Sequence, residues 1–160
     1  MKQPDVFYFN RAVEVAEEAL ARGDDGFASL LVGPDGDILL ERGNEANSSH
    51  NPMCHDTFVL IDEAVGKYDK DFLSECTVYA VMEPCAMCMG AAFWAGINHV
   101  KFAMSEAELN ELLPGGLDIH SKEFCERSPR PMDSIGPYSE IIGAYDVVKK
   151  WIRSLGVPCD

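Results

Sequence analysis

One stretch constrains this chain more than any other: Thr77-Val-Tyr-Ala-Val-Met82 runs without a break into Glu83-Pro-Cys-Ala-Met-Cys-Met-Gly90. The first six residues, apolar and rich in β-branched side chains, predict a buried strand. Pro84 suits entry to a helix, because the first helical turn leaves its N–H groups unpaired and proline has none to lose. Small and aromatic residues from Ala91 to Ala95 carry that helix to Gly96, and His99-Val-Lys-Phe-Ala103 predicts the next strand. Two thiols, Cys85 and Cys88, therefore share one turn at a helix start.

The flanking sequence keeps alternating strand and helix. Val6, Phe9, Val13, Ala16 and Leu20 line one face of a helix over residues 6–21, which Gly23-Asp-Asp-Gly26 stops. Phe27–Val32 and Asp37–Glu41, joined by Gly33-Pro-Asp-Gly36, predict a hairpin. Gly43 to Pro52 is a polar loop after a buried strand, a common place for ligand contacts. A buried helix is expected over His55–Val65, a short acidic helix after Ser105, and an amphipathic helix over about Tyr138–Ser154. Strands alternating with helices imply a sheet covered by helices. No repeat or low-complexity segment interrupts the pattern.

Charge narrows the partners. Thirteen Lys and Arg against 27 Asp and Glu give a net charge of −14, which repels phosphate backbones and anionic lipids. The largest basic cluster is Lys149-Lys150. The expectation is no nucleic acid, no membrane and a cytoplasmic protein, since no apolar run reaches the ~18 residues of a spanning helix and the N-terminus lacks a signal-peptide core. Six cysteines admit three disulfides, but a chain of 160 residues buries a core without staples, so reduced thiols, some of them metal ligands, are expected.

A C-x-x-C pair at a helix start reads either as a redox dithiol or as part of a zinc site. No second C-x-x-C is present to close a four-cysteine site. His55, opening a different helix just after a loop, is the best third ligand. Two facing helix starts deliver His55, Cys85 and Cys88 to one ion, and their dipoles favour thiolate. Three protein ligands leave a fourth position for water, as in catalytic zinc sites, where the pKa of that water falls to ~7.

Pro84-Cys-Ala-Met-Cys88, with Glu83 before it and Met89-Gly-Ala-Ala-Phe-Trp-Ala95 after it, resembles the zinc signature of the cytidine-deaminase-like superfamily, whose pattern is H-x-E followed by P-C-x-x-C. The nearest branch is the guanine and nucleoside deaminase group. Gly26-Phe-Ala-Ser29, Asn44 and Asn51-Pro-Met-Cys-His55 are similar to that group's strand start, ring-binding Asn and zinc-His segment, so the resemblance runs from about Phe7 to Ala103. It implies a single zinc deaminase-like domain over residues 1–160, a three-layer α/β/α sandwich with a mixed sheet of about five strands, Zn2+ on His55, Cys85 and Cys88, and a homodimer in which the terminal helix docks or exchanges. It also implies hydrolytic removal of an exocyclic amino group from a small purine-, pyrimidine-, pterin- or triazine-like ring.

The departure is at Thr57, where the family carries its general acid/base Glu. A threonine hydroxyl orients water but does not ionise near neutrality. Three readings stand. Another carboxylate has taken over: Asp118, matching an auxiliary carboxylate of the guanine deaminase group, is the first choice, while Asp56 is expected to face away because successive helical residues point ~100° apart. Or the chain is a silent subunit that keeps zinc and pocket for binding. Or the substrate's own groups relay the protons.

The remaining residues divide by their neighbours. Asn44, in the resemblance, holds the ring by hydrogen bonds; its plain alternative is a turn residue. Phe27 is the better placed of Phe27 and Trp94 to stack on a flat heterocycle, and Trp94 reads as core. Glu83 reads as a cap on backbone N–H groups. Cys54 reads as a small buried residue, His120 as a solvated loop histidine, and Glu106, Glu108 and Glu111 as a solvated helix face.

Overall fold

The computed structural model describes all 160 residues. The elements follow in the order α1 (Asp5–Ala21), β1 (Ala28–Val32), β2 (Ile38–Gly43), α2 (Asp56–Val65), α3 (Lys70–Ser74), β3 (Thr77–Met82), α4 (Ala86–Ala95), β4 (His99–Met104), α5 (Glu106–Leu112), α6 (Ser121–Arg127), β5 (Asp133–Ile135) and α7 (Ile142–Ser154). The sheet order is β2-β1-β3-β4-β5. β1 is antiparallel to β2 and β3, whereas β3, β4 and β5 run parallel, so the sheet is mixed and five-stranded, as the sequence implies.

Strand alternation sorts the two layers of helices. Leu30, Val32, Tyr79 and Val81 point to one face, where Phe9, Ala12 and Ala16 of α1 and Val147, Val148 and Ile152 of α7 cover them. Leu31, Val78 and Val100 point to the other, against Leu60, Ile61 and Ala64 of α2 and Met89 and Ala92 of α4. Ser29, one residue from Leu30 and two from Leu31, lies on the α2 side. Gly96 ends α4 in the left-handed region (φ 86°), which lets its N–H reach back to the last turn.

Parallel pairing of β3 with β4 places their carboxyl ends together, with Met82 beside Met104. Glu83 N–H donates to the Met104 carbonyl (2.8 Å). The segments leaving both strands therefore share one edge, the place where open α/β sheets form ligand crevices.

Two expectations are corrected, and three short elements are added. α7 begins at Ile142, four residues later than its pattern suggests, because Tyr138 N–H is committed to the Phe102 carbonyl of β4. It packs on α1 of its own chain. Trp94 is 78% exposed instead of core. α3, α6 and β5 have five, seven and three residues and are too short to show a period.

Asp5 clamps the helix to the sheet. Its carboxylate accepts hydrogen bonds from Tyr79 (2.7 Å), Tyr138 (3.0 Å) and Lys101 (2.8 and 2.9 Å). Burial pushes this carboxyl up, and the bonds from Lys101, Tyr79 and Tyr138 together outweigh burial and hold it below its ordinary value. Asp5→Asn is expected to cost about 1–3 kcal/mol in urea unfolding at neutral pH. Because the folded-state value is depressed, this contribution is present above the unfolded carboxylate pKa of ~3.9 and is lost as pH falls through the folded value. The gap between wild type and variant should close on acidification.

Candidate metal centre and cavity

His55 and Cys85 occupy equivalent places: each is the residue before the first turn of a helix, in extended backbone (φ −66°, ψ 147° and φ −68°, ψ 174°). Neither side chain caps its own helix. Both are thus free to turn toward a common point, and Cys88, one turn into α4, reaches it too. His55 Nδ1 lies 3.5 Å from Cys85 Sγ and 3.9 Å from Cys88 Sγ. All three ligand atoms fall within 4.8 Å of one another. Tetrahedral zinc with Zn–S of ~2.3 Å and Zn–N of ~2.0–2.1 Å requires N···S separations of ~3.6 Å. The donor set and its spacing fit zinc.

The electrostatics fit as well. Hydrogen bonding from the Cys88 thiol, then from His55, lowers Cys85 to about 4 against the opposing effect of burial. The same bond, with burial, raises Cys88, and the bond to Cys85 raises His55. Groups that share protons in this way release them to a divalent cation. All six cysteines are free thiols, and Cys54 stands outside the cluster.

Around this cluster is a cavity of about 340 Å³ whose wall includes Phe27, Asn44, Thr57, Glu106 and Leu117 beside the three candidate ligands. That volume lies at the small end of the ~300–1,000 Å³ typical of small-molecule sites. Asn44 is buried, and its N–H donates to the Phe27 carbonyl (2.9 Å), which ties the two residues across the hairpin mouth. Its Oδ1 accepts from Ala46 N–H (3.0 Å), leaving the NH2 group for the cavity. Phe27 is held edge-on by Trp151, with centroids 4.7 Å apart.

Asp56 lines the cavity, contrary to the expectation that it faces away. The ~100° step applies between helical residues, and His55 is not helical, so Asp56 as the first residue of α2 turns inward. It accepts a short hydrogen bond from Ser29 Oγ (2.5 Å), and Ser29 Oγ is 2.7 Å from Thr57 Oγ1. Burial raises the Asp56 carboxyl.

Asp118 lies elsewhere. Its side chain is 89% exposed, pairs with His120 (3.2 Å) and is absent from the cavity wall, although its neighbours Gly116 and Leu117 belong to it. The loop after α5 contributes Gly116 and Leu117 to the cavity wall and leaves this carboxylate in solvent. Glu83 does cap helices, but not its own. Its two oxygens accept from Glu106 N–H (2.8 Å) and from Ser121 N–H and Oγ (2.8 and 2.7 Å), fastening the starts of α5 and α6 to the end of β3.

Glu106 is the residue that sequence reasoning missed. Instead of joining a solvated face, it lines the cavity. Burial raises its carboxyl, and repulsion from Glu83 and Cys85 adds to that. The available signal was positional: Glu106 leaves β4 where Glu83-Pro-Cys85 leaves β3, and the two strands are parallel neighbours.

Residues 2–104 match the cytidine and deoxycytidylate deaminase zinc-binding region. The chain belongs to this family, a class of zinc-dependent hydrolases acting on C–N bonds of cyclic bases, and Zn2+ is its cofactor. Among its relatives is a probable cytosine deaminase of Schizosaccharomyces pombe, 29% identical over 147 residues that cover 88% of each protein. A guanine deaminase of Bacillus subtilis is 31% identical over 104 residues, 65% of this chain and 67% of the relative. A solved guanine deaminase from Nitrosomonas europaea superposes with a TM-score of 0.75 at 17% identity, covering 94% of this chain and 85% of that one, which shows a shared fold.

Freshly purified protein should carry one zinc per chain by elemental analysis, and Cys88→Ser should lose it. Stripping the metal should also lower thermal stability, since a ligand at ~1,000 times its Kd contributes about 4 kcal/mol. Zinc retained at full occupancy in Cys88→Ser would remove that residue from the ligand set.

Proposed function

We propose that the chain deaminates a small, uncharged, free heterocyclic base of the purine, pyrimidine, pterin or triazine type, releasing ammonia. The observation that carries this reading is one 340 Å³ cavity joining the His55, Cys85 and Cys88 cluster to Asn44 and Phe27. Zinc on those residues supplies Lewis acidity and a nucleophile at neutral pH. The chain's own residues do the rest. The Asn44 NH2 donates to a ring nitrogen or carbonyl. Phe27, braced by Trp151, offers an apolar face to the ring. Thr57 holds water or a ring substituent through its hydroxyl, while Ser29 fixes its rotamer.

Preference for a free base follows from charge. Asp25, Asp56, Glu83 and Glu106 line the cavity, and no Lys or Arg does. A phosphate entering there meets like charge in a partly desolvated space, which costs several kcal/mol. A nucleic acid strand, with a phosphate at every nucleotide, is disfavoured for the same reason.

Thr57 motivates the second reading, a silent subunit that keeps zinc and binds a ligand or partner. A panel of amino-substituted purines, pyrimidines, pterins and triazines, assayed for ammonia with zinc-loaded protein, separates the two. At least one free base should react, a phosphorylated derivative of it (for a purine or pyrimidine, the nucleoside 5′-monophosphate) should react ~10²-fold less well, and Asn44→Ala should raise KM for the base about tenfold or more. Ammonia from none of these rings, with zinc at full occupancy, would establish the silent subunit.

A further inference from the structure

Four carboxylates line the cavity, and three of them are already engaged. Glu83 accepts three hydrogen bonds from the starts of α5 and α6. Asp25 accepts from Trp151 Nε1 (2.9 Å), and Asp56 accepts from Ser29. Glu106 alone has a side chain that bonds to nothing in the protein, although its own backbone N–H is held by Glu83. Its stem leaves β4 at the edge shared with Cys85, and its Oε1 occupies the space that a Cβ on Gly116 would need. An uncommitted carboxylate, positioned at its root and flanked by a loop, is the arrangement that general acid/base work requires.

We propose that Glu106 is the catalytic carboxylate of this cavity, shuttling protons in the role that the family gives to the residue at position 57. This inference rests on the deaminase reading above. Water adds its oxygen to the ring carbon that bears the amino group, and its proton passes to Glu106 and on to the adjacent ring nitrogen as the C=N double bond opens. The new hydroxyl then gives up its proton through Glu106 to the amino group. The C–N bond breaks, ammonia leaves, a ring carbonyl remains and the carboxylate is restored. Water is the only co-reactant. The upward displacement of the Glu106 carboxyl, by burial and by repulsion from Glu83 and Cys85 that His120 and His55 partly offset, favours both halves of the shuttle.

The position of Gly116 gives a second, independent handle. A Cβ there would overlap Glu106 Oε1, and the backbone of Gly116 does not need a left-handed conformation, so Gly116→Ala displaces the carboxylate without removing it.

The test compares wild type, Glu106→Gln, Glu106→Asp and Gly116→Ala, with Glu111→Gln as the control on the same helix. Zinc content, melting temperature, ammonia release and ultraviolet difference spectra are measured for each. The spectra use an analogue of the reactive base that carries hydrogen in place of the amino group and adds water on the enzyme. Glu106→Gln should retain zinc and melting temperature, lose ~10²–10⁴ in kcat, and bind the analogue without the spectral shift of its hydrate. Glu106→Asp and Gly116→Ala should fall between that variant and wild type, and Glu111→Gln should match wild type. Should Glu106→Gln fail to fold, Gly116→Ala with lowered kcat and hydrate signal at full zinc supports the assignment. Gly116→Ala unchanged in both would then overturn it. A folded, zinc-loaded Glu106→Gln within about threefold of wild type would overturn the role of Glu106 and leave the deaminase reading standing. A wild type inert toward every ring would overturn both.

Discussion

Everything at the site depends on the meeting of two helix starts. α2 and α4 lie side by side on one face of the sheet, and each is preceded by a residue in extended backbone that does not cap it. Had either His55 or Cys85 been drawn into capping its helix, the three donors would not converge. Their convergence needs the apolar packing of Leu60, Ile61 and Ala64 against Met89 and Ala92, which sets the distance between the helices. The metal cluster is in that sense a product of the core beneath it.

Around the cluster the lining is acidic in composition, with no Lys or Arg to balance it. Two candidate thiolate ligands, four carboxylates and no cationic side chain other than histidine occupy one small volume. Such an arrangement is costly without a cation, which couples the integrity of the cavity to metal binding. On the proposed reading, selection among substrates follows from the same imbalance, which favours amino groups and ring N–H donors over phosphates.

Much of the frame was legible in the sequence. Thr77–Met82, Ala86–Ala95 and His99–Met104 follow from their apolar runs and from Pro84 and Gly96, and the Cys85/Cys88 pair follows from its spacing. The carboxylates were not legible, for geometric reasons. The inward turn of Asp56 depends on His55 being non-helical, a backbone fact that the pattern of side chains does not carry. Asp118 matched by position along the chain, but the loop that carries it presents Gly116 and Leu117 to the cavity and Asp118 to solvent. Glu106 enters the cavity through the register of two parallel strands, a contact between segments over twenty residues apart. Where a side chain's direction is fixed by its own element the sequence reveals it; where a neighbouring element fixes it, it stays hidden.

The coordination shell of the zinc is the most direct measurement of the central claim. X-ray absorption at the zinc edge of the purified protein should report two sulfurs at ~2.3 Å and two lighter N or O neighbours at ~2.0–2.1 Å, with imidazole scattering that disappears in His55→Ala. A shell of four sulfurs, or of two sulfurs with the imidazole signal intact in His55→Ala, would contradict it.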